Sequence, residues 1–241
     1  MSSTFVIGDV HGCYYTLIDL VDKLPKDADL IFVGDLIDRG KYPSKVVKFI
    51  RKNRYKSVLG NHEYTFIKFF NEYQSATNFD MLKEKWHSWL FLNGGKKTLE
   101  SYNLWENFDP SKEILEKVQS DILWMQNLPI YIELDVKYKN KLPIVISHSN
   151  ITKVWKYKDD SDKKEYFLDR ATRERELSYD KDSKIFNIYG HTPNTNPRAN
   201  LNSINVDSGC CFSDEGLNYL TAYCIEDDTF IYQNNIDGAY K

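Results

Sequence analysis

The sequence lacks three features that would each have narrowed its function. It has no apolar run near the ~18 residues that a membrane span needs. Its 32 Lys and Arg are outnumbered by 35 Asp and Glu, for a formal net charge of −3. This balance gives no electrostatic reason to expect nucleic acid or an anionic membrane as a partner. No C-x-x-C pair occurs, so neither a disulfide framework nor a structural zinc site is expected of the cysteines, Cys13, Cys210, Cys211 and Cys224.

The composition instead indicates a globular protein. Hydrophobic residues make up 41% of the 241 residues and aromatic residues 15%, enough for a sizeable core. The first residues, MSSTFVIGD, run straight into a predicted strand and show no signal-peptide pattern. Together with the unpaired cysteines, this predicts a protein of the reducing cytoplasm.

One pattern occurs three times in the first 63 residues. A short apolar run is followed by glycine and then by Asp9, Asp35 or Asn61, at intervals of 26 residues. That interval fits a strand, a helix and the next strand, so we expect parallel βαβ units. Ligands of such sheets bind where the strands end. The side chains predicted to converge there are Asp9, His11, Asp35, Asp38, Arg39, Asn61, His62 and Glu63.

Two more histidines follow predicted strands in the second half of the chain. His148 ends "LPIVISH" and His191 ends "IFNIYGH", so that four of the five histidines stand at strand exits and only His87 does not. Any one of them could be an ordinary hydrogen-bonded loop residue. The joint pattern favours a shared site.

Carboxylate, carboxamide and imidazole groups without thiolate suit Mn, Fe, Zn or Ni. The set is too large for one ion with open positions, but it is sufficient for two, with Asp35 as the natural bridge. Two ions ~3.5–4 Å apart activate water and clamp a phosphoryl group, and Arg39 adds a forked donor for phosphate oxygens. These residues predict phosphoester hydrolysis.

The motifs GDVHG, GDLIDRG, GNHE and GHT, with His148 between the last two, resemble those of the calcineurin-like metallophosphoesterases. Within that family the chain is similar to the phosphoprotein phosphatase branch, especially the small bacterial and bacteriophage lambda-type serine/threonine phosphatases. "VDSGCCF" (206–212) and the strand-like "YLTAYCIE" after it resemble the C-terminal end of that group. The resemblance implies an α/β fold, a β-sandwich of two mixed sheets flanked by helices.

The resemblance also implies roles for individual residues. Two divalent ions, with Mn favoured and Fe, Zn or Ni as alternatives, would share Asp35, and a hydroxide between them would attack phosphorus. Arg39 would bind phosphate, and His62 would act as general acid with Asp38 as its partner. The implied ligands are Asp9, His11 and Asp35 for one ion, and Asp35, Asn61, His148 and His191 for the other. One departure is Ser149-Asn150, where many relatives carry Ala-Gly.

Two insertions complete a single domain predicted over residues 1–241. Apolar spacings of three and four predict a helical cap over 64–128, whose Trp86, Trp89, Phe91 and Trp124 favour a core role. Residues 156–184 carry balanced charge and are expected to form a solvated loop. Within it "RATRERE" resembles the stretch that presents a second phosphate-binding arginine, for which Arg173 is the first choice and Arg170 and Arg175 are alternatives; an exposed charged helix is the competing interpretation.

Several alternatives stay open. Glu63 is either a structural partner of the turn, which we favour, or an acceptor for a ligand histidine. The expected substrate is a phosphorylated protein, peptide or small phosphoester, with no nucleic acid or membrane partner. Symmetrical hydrolysis of a dinucleoside tetraphosphate is the main alternative, although GDLIDRG and GNHE differ from the GDLVARG and GNHD that are more usual in that branch. A phosphodiesterase or nuclease is less favoured, since either would want a basic groove.

Overall fold

The computed structural model describes residues 3–106, 110–175, 180–195 and 201–240. Two sheets form the centre, one with strand order β3-β2-β1-β8-β9 and the other with order β4-β5-β6-β7. The strands are β1 (Thr4–Ile7), β2 (Asp29–Phe32), β3 (Lys56–Ser57), β4 (Tyr131–Lys137), β5 (Pro143–Ser147), β6 (Phe186–Tyr189), β7 (Ser203–Asn205), β8 (Tyr219–Cys224) and β9 (Thr229–Asn234).

Helices flank the sheets. They are α1 (Tyr14–Asp22), α2 (Pro43–Lys52), α3 (Asn61–Tyr73), α4 (Phe79–Lys85), α5 (Gly95–Ser101), α6 (Lys112–Gln126) and α7 (Lys164–Arg173). A π-helical turn, Ser88–Leu92, joins α4 to α5. Short 3₁₀ turns, Trp155–Tyr157 and Ser161–Lys163, precede α7.

The repeated motif forms the βαβ units that its spacing predicts. β1 pairs in parallel with β2, and β2 pairs in parallel with β3. The strand residues of β1 and β2 are almost entirely buried, as expected for parallel strands that are covered on both faces. Because the strands are parallel, their carboxyl ends meet at one edge of the sheet.

An apolar interface between the two sheets holds the sandwich together. Its buried residues come from both inner faces: Val6, Ile31, Val33, Val58, Ile144, Ile146, Phe186, Ile188, Ile204, Val206 and Tyr223. A larger cluster joins the outer face of the five-stranded sheet to α1, α2, α3, α5 and α6. The fold class predicted from the sequence, two mixed sheets flanked by helices, is therefore correct.

The end of the described chain anchors the first helix. Cys13, at the N-cap position of α1, makes no side-chain cap. The Asp237 carboxylate takes that role by accepting hydrogen bonds from the backbone N–H groups of Tyr15 (3.1 Å) and Thr16 (2.8 Å). An acceptor at a helix N-terminus satisfies orphan donors and complements the helix dipole. The tail therefore steadies the helix that follows His11.

The sequence predicted the structure of the first insertion, 64–128, better than that of the second, 156–184. Residues 64–128 contain helices over most of their described length, as predicted. Residues 156–184 do not form only a charged loop, because α7 lies within them; 176–179 are outside the described residues. The sequence interpretation overlooked that Phe167 and Ala171 share one face of α7 and pack with Val145 of β5 and with Ile151.

Among the helices described here, none is long and apolar enough to cross a membrane. The four cysteines are buried and free, as their spacing suggested.

Candidate active site

Polar side chains converge where the parallel strands of both sheets end. Asp9 and His11 follow β1, Asp35 follows β2, and Asn61 and His62 begin α3 directly after β3. His148 follows β5 and His191 follows β6 on the other sheet. Six of these seven side chains belong to residues that are at least nine-tenths buried, Asn61 being the partly exposed one.

Asp35 lies at the centre of this edge. Its Oδ2 is 3.6 Å from His11 Nε2 and 3.7 Å from His62 Nε2, and its Oδ1 is 3.3 Å from His148 Nε2. Two groups of possible metal-ligating atoms converge on it, His11–Asp35–His62 and Asp35–His148–His191. A single carboxylate thus faces a histidine pair on each side.

Two imidazoles turn Nε2 toward the site because a backbone carbonyl engages Nδ1. His11 Nδ1 lies 2.8 Å from the carbonyl oxygen of Ile37, and His148 Nδ1 lies 2.8 Å from that of Val33. Such carbonyl partners fix the ring and leave Nε2 for a ligand. His148 Nε2 is 2.9 Å from Asn61 Oδ1 and 3.0 Å from His191 Nδ1.

Asp9 sits slightly apart from both groups. Its Oδ2 is 4.0 Å from His11 Nε2, and its two carboxylate oxygens accept the backbone N–H of His191 at 3.2 Å. Burial and the carboxylate of Asp207 raise the pKa of Asp9 well above its usual range. Asp9 therefore lies against the second ligand group as well as near His11.

The donor set fits divalent ions on physical grounds. Burial and the Arg39 charge lower the pKa of His11, which keeps its imidazole neutral and able to coordinate. Burial and nearby His148 lower the pKa of His191 to about 3, and its buried Nε2 has no hydrogen-bond partner within the described residues. Neutral imidazoles beside buried carboxylates are the ligands that borderline ions prefer.

The carboxylates point to the same conclusion. Burial would raise the pKa of Asp35, but His148 and His62 outweigh it and hold that pKa well below the usual range. The pKa of His148 reaches about 10 because Asp35 overcomes the opposing effect of burial. Burial raises the pKa of Asp207 to about 6. This edge of the sheet therefore favours positive charge, which two divalent ions would supply.

Backbone strain is concentrated at the site. Five of its residues have left-handed φ angles between 45° and 71°, a region that L-residues seldom occupy: His11, Asp35, Asp38, Arg39 and His191. Strained backbone of this kind costs of order 1–3 kcal/mol per residue and tends to cluster at functional sites. The left-handed backbone forms tight turns that direct these side chains toward the site around Asp35.

Arg39 lies between the histidines of the first group. One guanidinium nitrogen is 2.5 Å from His11 Nε2 and another is 3.2 Å from His62 Nε2. The guanidinium also lies over the ring of Phe212, with its central carbon 5.0 Å from the ring centroid. A cation held in this way is well placed to receive a phosphoryl oxygen.

The predicted pair of Asp38 and His62 is formed. Asp38 Oδ2 lies 2.5 Å from His62 Nδ1. Asp38 is fully buried, and Trp89 Nε1 donates to the same oxygen at 2.7 Å. A carboxylate on Nδ1 leaves His62 Nε2 facing Asp35 and Arg39.

Glu63 holds the turns, in agreement with the favoured of its two interpretations. Its carboxylate accepts backbone N–H groups from Asp35 (2.9 Å), Leu36 (2.8 Å) and Gly60 (3.1 Å). A Cβ at Gly60 would lie 2.4 Å from the Asp35 backbone nitrogen, so only glycine allows these loops to approach so closely. Burial and the Asp35 charge raise the pKa of Glu63 to about 7.

The three arginine candidates of "RATRERE" separate in the structure. Arg170 forms an ion pair with Glu174 at 2.7 Å. Arg173 helps to line a cavity of about 330 Å³ together with Asn61, His62 and Lys85. Arg175 lies near enough to His191 to contribute to the lowering of its pKa. Arg173 is thus the arginine of this segment that shares a cavity with the site.

Sequence reasoning gave no role to Asp207, which the structure places in the site. It is buried beside Asp9 and Arg39 and follows β7 as Asp9 follows β1. The stretch "INVDSG" could have been recognised as another apolar strand that ends in Asp and Gly. Trp89 and Thr98, which contact Asp38, carried no comparable signal, because tryptophan and threonine in a helical segment favour ordinary packing.

Comparison with known proteins assigns this geometry to a family. The family model for calcineurin-like phosphoesterases matches residues 3–202. The chain belongs to that family. It is accordingly a metallophosphoesterase and a hydrolase, with Asp and His groups placed to bind metal.

Curated relatives and solved structures agree with this assignment. The chain is 26% identical to an asymmetrical bis(5'-nucleosyl)-tetraphosphatase PrpE of Oceanobacillus iheyensis, over 94% of this chain and 90% of the relative. It is 27% identical to a symmetrical bis(5'-nucleosyl)-tetraphosphatase of Buchnera aphidicola, over 64% of this chain and 45% of that protein. A Saccharomyces cerevisiae serine/threonine phosphatase similar to human PP5 shares the fold, with a TM-score of 0.54, 15% identity and coverage of 100% of this chain and 81% of that one.

Proposed function

We propose that this protein is a hydrolase that uses two divalent metal ions, with Mn favoured, to cleave phosphoesters by direct attack of water. The observation that carries the proposal is Asp35, whose carboxylate two groups of possible metal-ligating atoms share. Asp9 and His11 would complete one ion site, and Asn61, His148 and His191 would complete the other. When bound there, the ions would activate a water molecule and neutralise charge on the phosphoryl oxygens.

The chain's own residues would supply the remaining steps. Arg39 would bind a phosphoryl oxygen with its forked donors, and the Asn61 amide and Arg173 would hold others. Fixed donors of this kind stabilise the charge that develops on the phosphoryl group. Phe212 under the guanidinium supports this role by limiting its motion.

His62 would protonate the leaving oxygen. Its Nδ1 is held by Asp38 at 2.5 Å, which fixes the ring with Nε2 toward the reacting groups, as a general acid requires. Nε2, which lies 3.2 Å from Arg39, would then carry the proton toward the phosphoryl group. The acid and the phosphate-binding group are therefore on the same side of Asp35.

The first candidate substrate is a phosphomonoester, such as a phosphoserine or phosphothreonine in a protein or peptide. The intact Asp38–His62 pair supports it, because an alkoxide leaving group is strongly basic and needs a proton. A nucleotide leaving group, whose phosphate is already acidic, needs little protonation.

The second candidate is a dinucleoside tetraphosphate, and a specific observation favours it. Relatives that bear the name tetraphosphatase match up to 94% of this chain. The cavity beside His62 also has cationic side chains in its wall, Lys85 and Arg173. These could accept the extra phosphates of such a substrate.

To distinguish the two candidate substrates, we would compare kcat/KM for a phosphoserine peptide and for diadenosine tetraphosphate at the same Mn concentration. The Asp35→Asn variant serves as the blank. A peptide preference supports the first candidate. A dinucleotide preference of a hundredfold or more, ~2.7 kcal/mol in transition-state binding, would replace it with the second. If neither substrate is hydrolysed above the blank, nor p-nitrophenyl phosphate, the proposed function is wrong.

A further inference from the structure

The predicted helical cap reaches into the Asp38–His62 pair through two hydrogen-bond donors. Trp89, in the π-helical turn Ser88–Leu92, donates from Nε1 to Asp38 Oδ2 at 2.7 Å. Thr98, in α5, donates its hydroxyl to Asp38 Oδ1 and accepts the backbone N–H of Asp38 at 3.0 Å. Trp89 and Thr98 are 51 and 60 residues from Asp38 in the sequence.

These contacts fix the orientation of the carboxylate. With His62 on Oδ2 as well, both oxygens are engaged and the plane of the group cannot rotate freely. An indole N–H can only donate, and an ionised carboxylate can only accept. His62 Nδ1 must therefore carry its hydrogen toward Asp38, which leaves Nε2 as the nitrogen that faces the reaction.

The cap is held in register with the Asp38–Arg39 loop by further contacts. Arg39 N–H donates to the carbonyl oxygen of Gly94 at 3.2 Å. A Cβ at Gly94 would lie 2.4 Å from the Arg39 nitrogen, and one at Gly95 would lie 2.3 Å from the Trp89 ring. Both glycines are needed for this close approach.

Trp89 is also packed on the helix that carries His62. It is 5% exposed, and its ring lies 4.8 Å from that of Phe69 and 6.0 Å from that of Phe66, both in α3. His62 is at the first turn of α3. The indole therefore has a fixed position relative to both members of the pair.

We propose that Trp89 and Thr98 are positioning residues for the general acid: they orient Asp38, and through it His62, so that the cap takes part in leaving-group protonation. This inference rests on the proposed function of His62. It assigns the cap a role that neither the metal-ligand motifs nor the similarity to known phosphoesterases describes.

The test uses variants that remove one donor and keep the shape. Thr98→Val removes the hydroxyl, Thr98→Ser restores it, and Trp89→Phe removes the indole N–H. We would measure kcat for phenyl phosphate and p-nitrophenyl phosphate, which differ mainly in how strongly the leaving group needs a proton. Trp86→Phe is the matched control, because Trp86 lies in the same segment and its Nε1 donates to Glu72, at 2.9 Å, instead of to Asp38.

The ratio of the two kcat values separates positioning from general damage. We expect phenyl phosphate to lose about tenfold more than p-nitrophenyl phosphate in Thr98→Val and Trp89→Phe, a part of the roughly 10²–10⁴-fold that general acid catalysis contributes. Thr98→Ser should regain most of that loss, and Trp86→Phe should keep the wild-type ratio. In a His62→Asn background neither change should lower the ratio further, since the group they orient is gone. Equal losses on both substrates, or losses that add to His62→Asn, would overturn the inference.

A second readout does not depend on activity. The proton between His62 Nδ1 and Asp38 should give a far-downfield NMR resonance in the wild type that is absent in His62→Asn. It should shift or broaden in Thr98→Val and Trp89→Phe but not in Trp86→Phe. An unchanged resonance in Thr98→Val and Trp89→Phe would contradict the inference, whether or not the wild-type protein is active. A wild-type protein that hydrolyses neither phosphate ester would instead refute the proposed function.

Discussion

The strand-exit edge and the helical cap contribute to one site in different ways. The edge, within residues 5–63 and at His148 and His191, supplies the groups that would hold the metal ions, together with Arg39. The cap, within residues 64–128, supplies Trp89 and Thr98, which donate hydrogen bonds to Asp38. Short motifs thus encode the reacting groups, whereas tertiary packing between distant segments encodes their orientation.

The largest effect should come from the centre of the edge. Asp35→Asn removes the shared charge, so we expect both ions to bind weakly and activity to fall by about 10²–10³-fold or more. His11→Ala should mainly disturb one ion site. Metal content and kcat measured on the same samples test this, and Asp121→Asn, a buried carboxylate paired with Arg51 instead, is the control. Unchanged metal content in Asp35→Asn would show that the edge does not form a shared site.

His62 is the group on which the edge and the cap act together. His62→Asn should reduce hydrolysis of a phosphoserine peptide by about 10²–10⁴-fold and reduce hydrolysis of p-nitrophenyl phosphate much less. His87→Asn, at the histidine outside the site, serves as the control. Equal losses on both substrates would indicate that His62 positions the substrate and does not protonate it.

Glu63 connects the two regions, because it lies in the first turn of α3, which continues into the cap, and its carboxylate holds the Asp35 loop. Its effect on stability depends on pH. The folded-state pKa of about 7 is above the ordinary value of 4.5. Folding therefore favours protonated Glu63, and this contribution is present below pH 4.5 and lost as pH rises to 7. This difference between the two pKa values corresponds to about 3 kcal/mol in the free energy of unfolding.

Urea unfolding of the metal-free protein at several pH values tests this expectation. The wild type should lose stability relative to Glu63→Gln between pH 4.5 and 7. Parallel stability curves for the two proteins would refute the raised pKa.

The smallest effect on stability should come from Asp237, which lies near the end of the described chain and contacts α1. Asp237→Ala removes the carboxylate that caps α1, so we expect a loss of about 0.5–2 kcal/mol in the free energy of unfolding with little change in kcat. Asp22→Ala is the matched control, since Asp22 is exposed near the other end of the same helix, where an acidic group gives no favourable dipole interaction. Equal destabilisation by the two changes would contradict the capping role.

The sequence was informative wherever a functional group followed directly on its strand. The 26-residue spacing of Asp9, Asp35 and Asn61 predicted the parallel strands and their common edge, because strand, helix and turn lengths are local properties. The pairing of Asp38 with His62 was also predictable, because the resemblance of GDLIDRG and GNHE to metallophosphoesterase motifs implies it.

What the sequence left out depends on contacts across long separations. Trp89 was assigned to the core, and it is buried, but its N–H reaches Asp38 only because α5 and the π-helical turn pack on the Asp38–Arg39 loop. The left-handed backbone at Asp35 and Arg39 has no residue-type signal, unlike a glycine turn. The apolar face of α7 was hidden among many charges, so residues 156–184 were expected to form a loop.

Metal stoichiometry measured together with hydrolysis tests the two-ion site most directly. We would prepare the protein free of metal, titrate it with Mn, and follow bound metal and p-nitrophenyl phosphate hydrolysis in the same samples. We expect about two ions per chain, no hydrolysis without them and recovery of activity as both sites fill. Full hydrolysis by the metal-free protein would contradict this expectation.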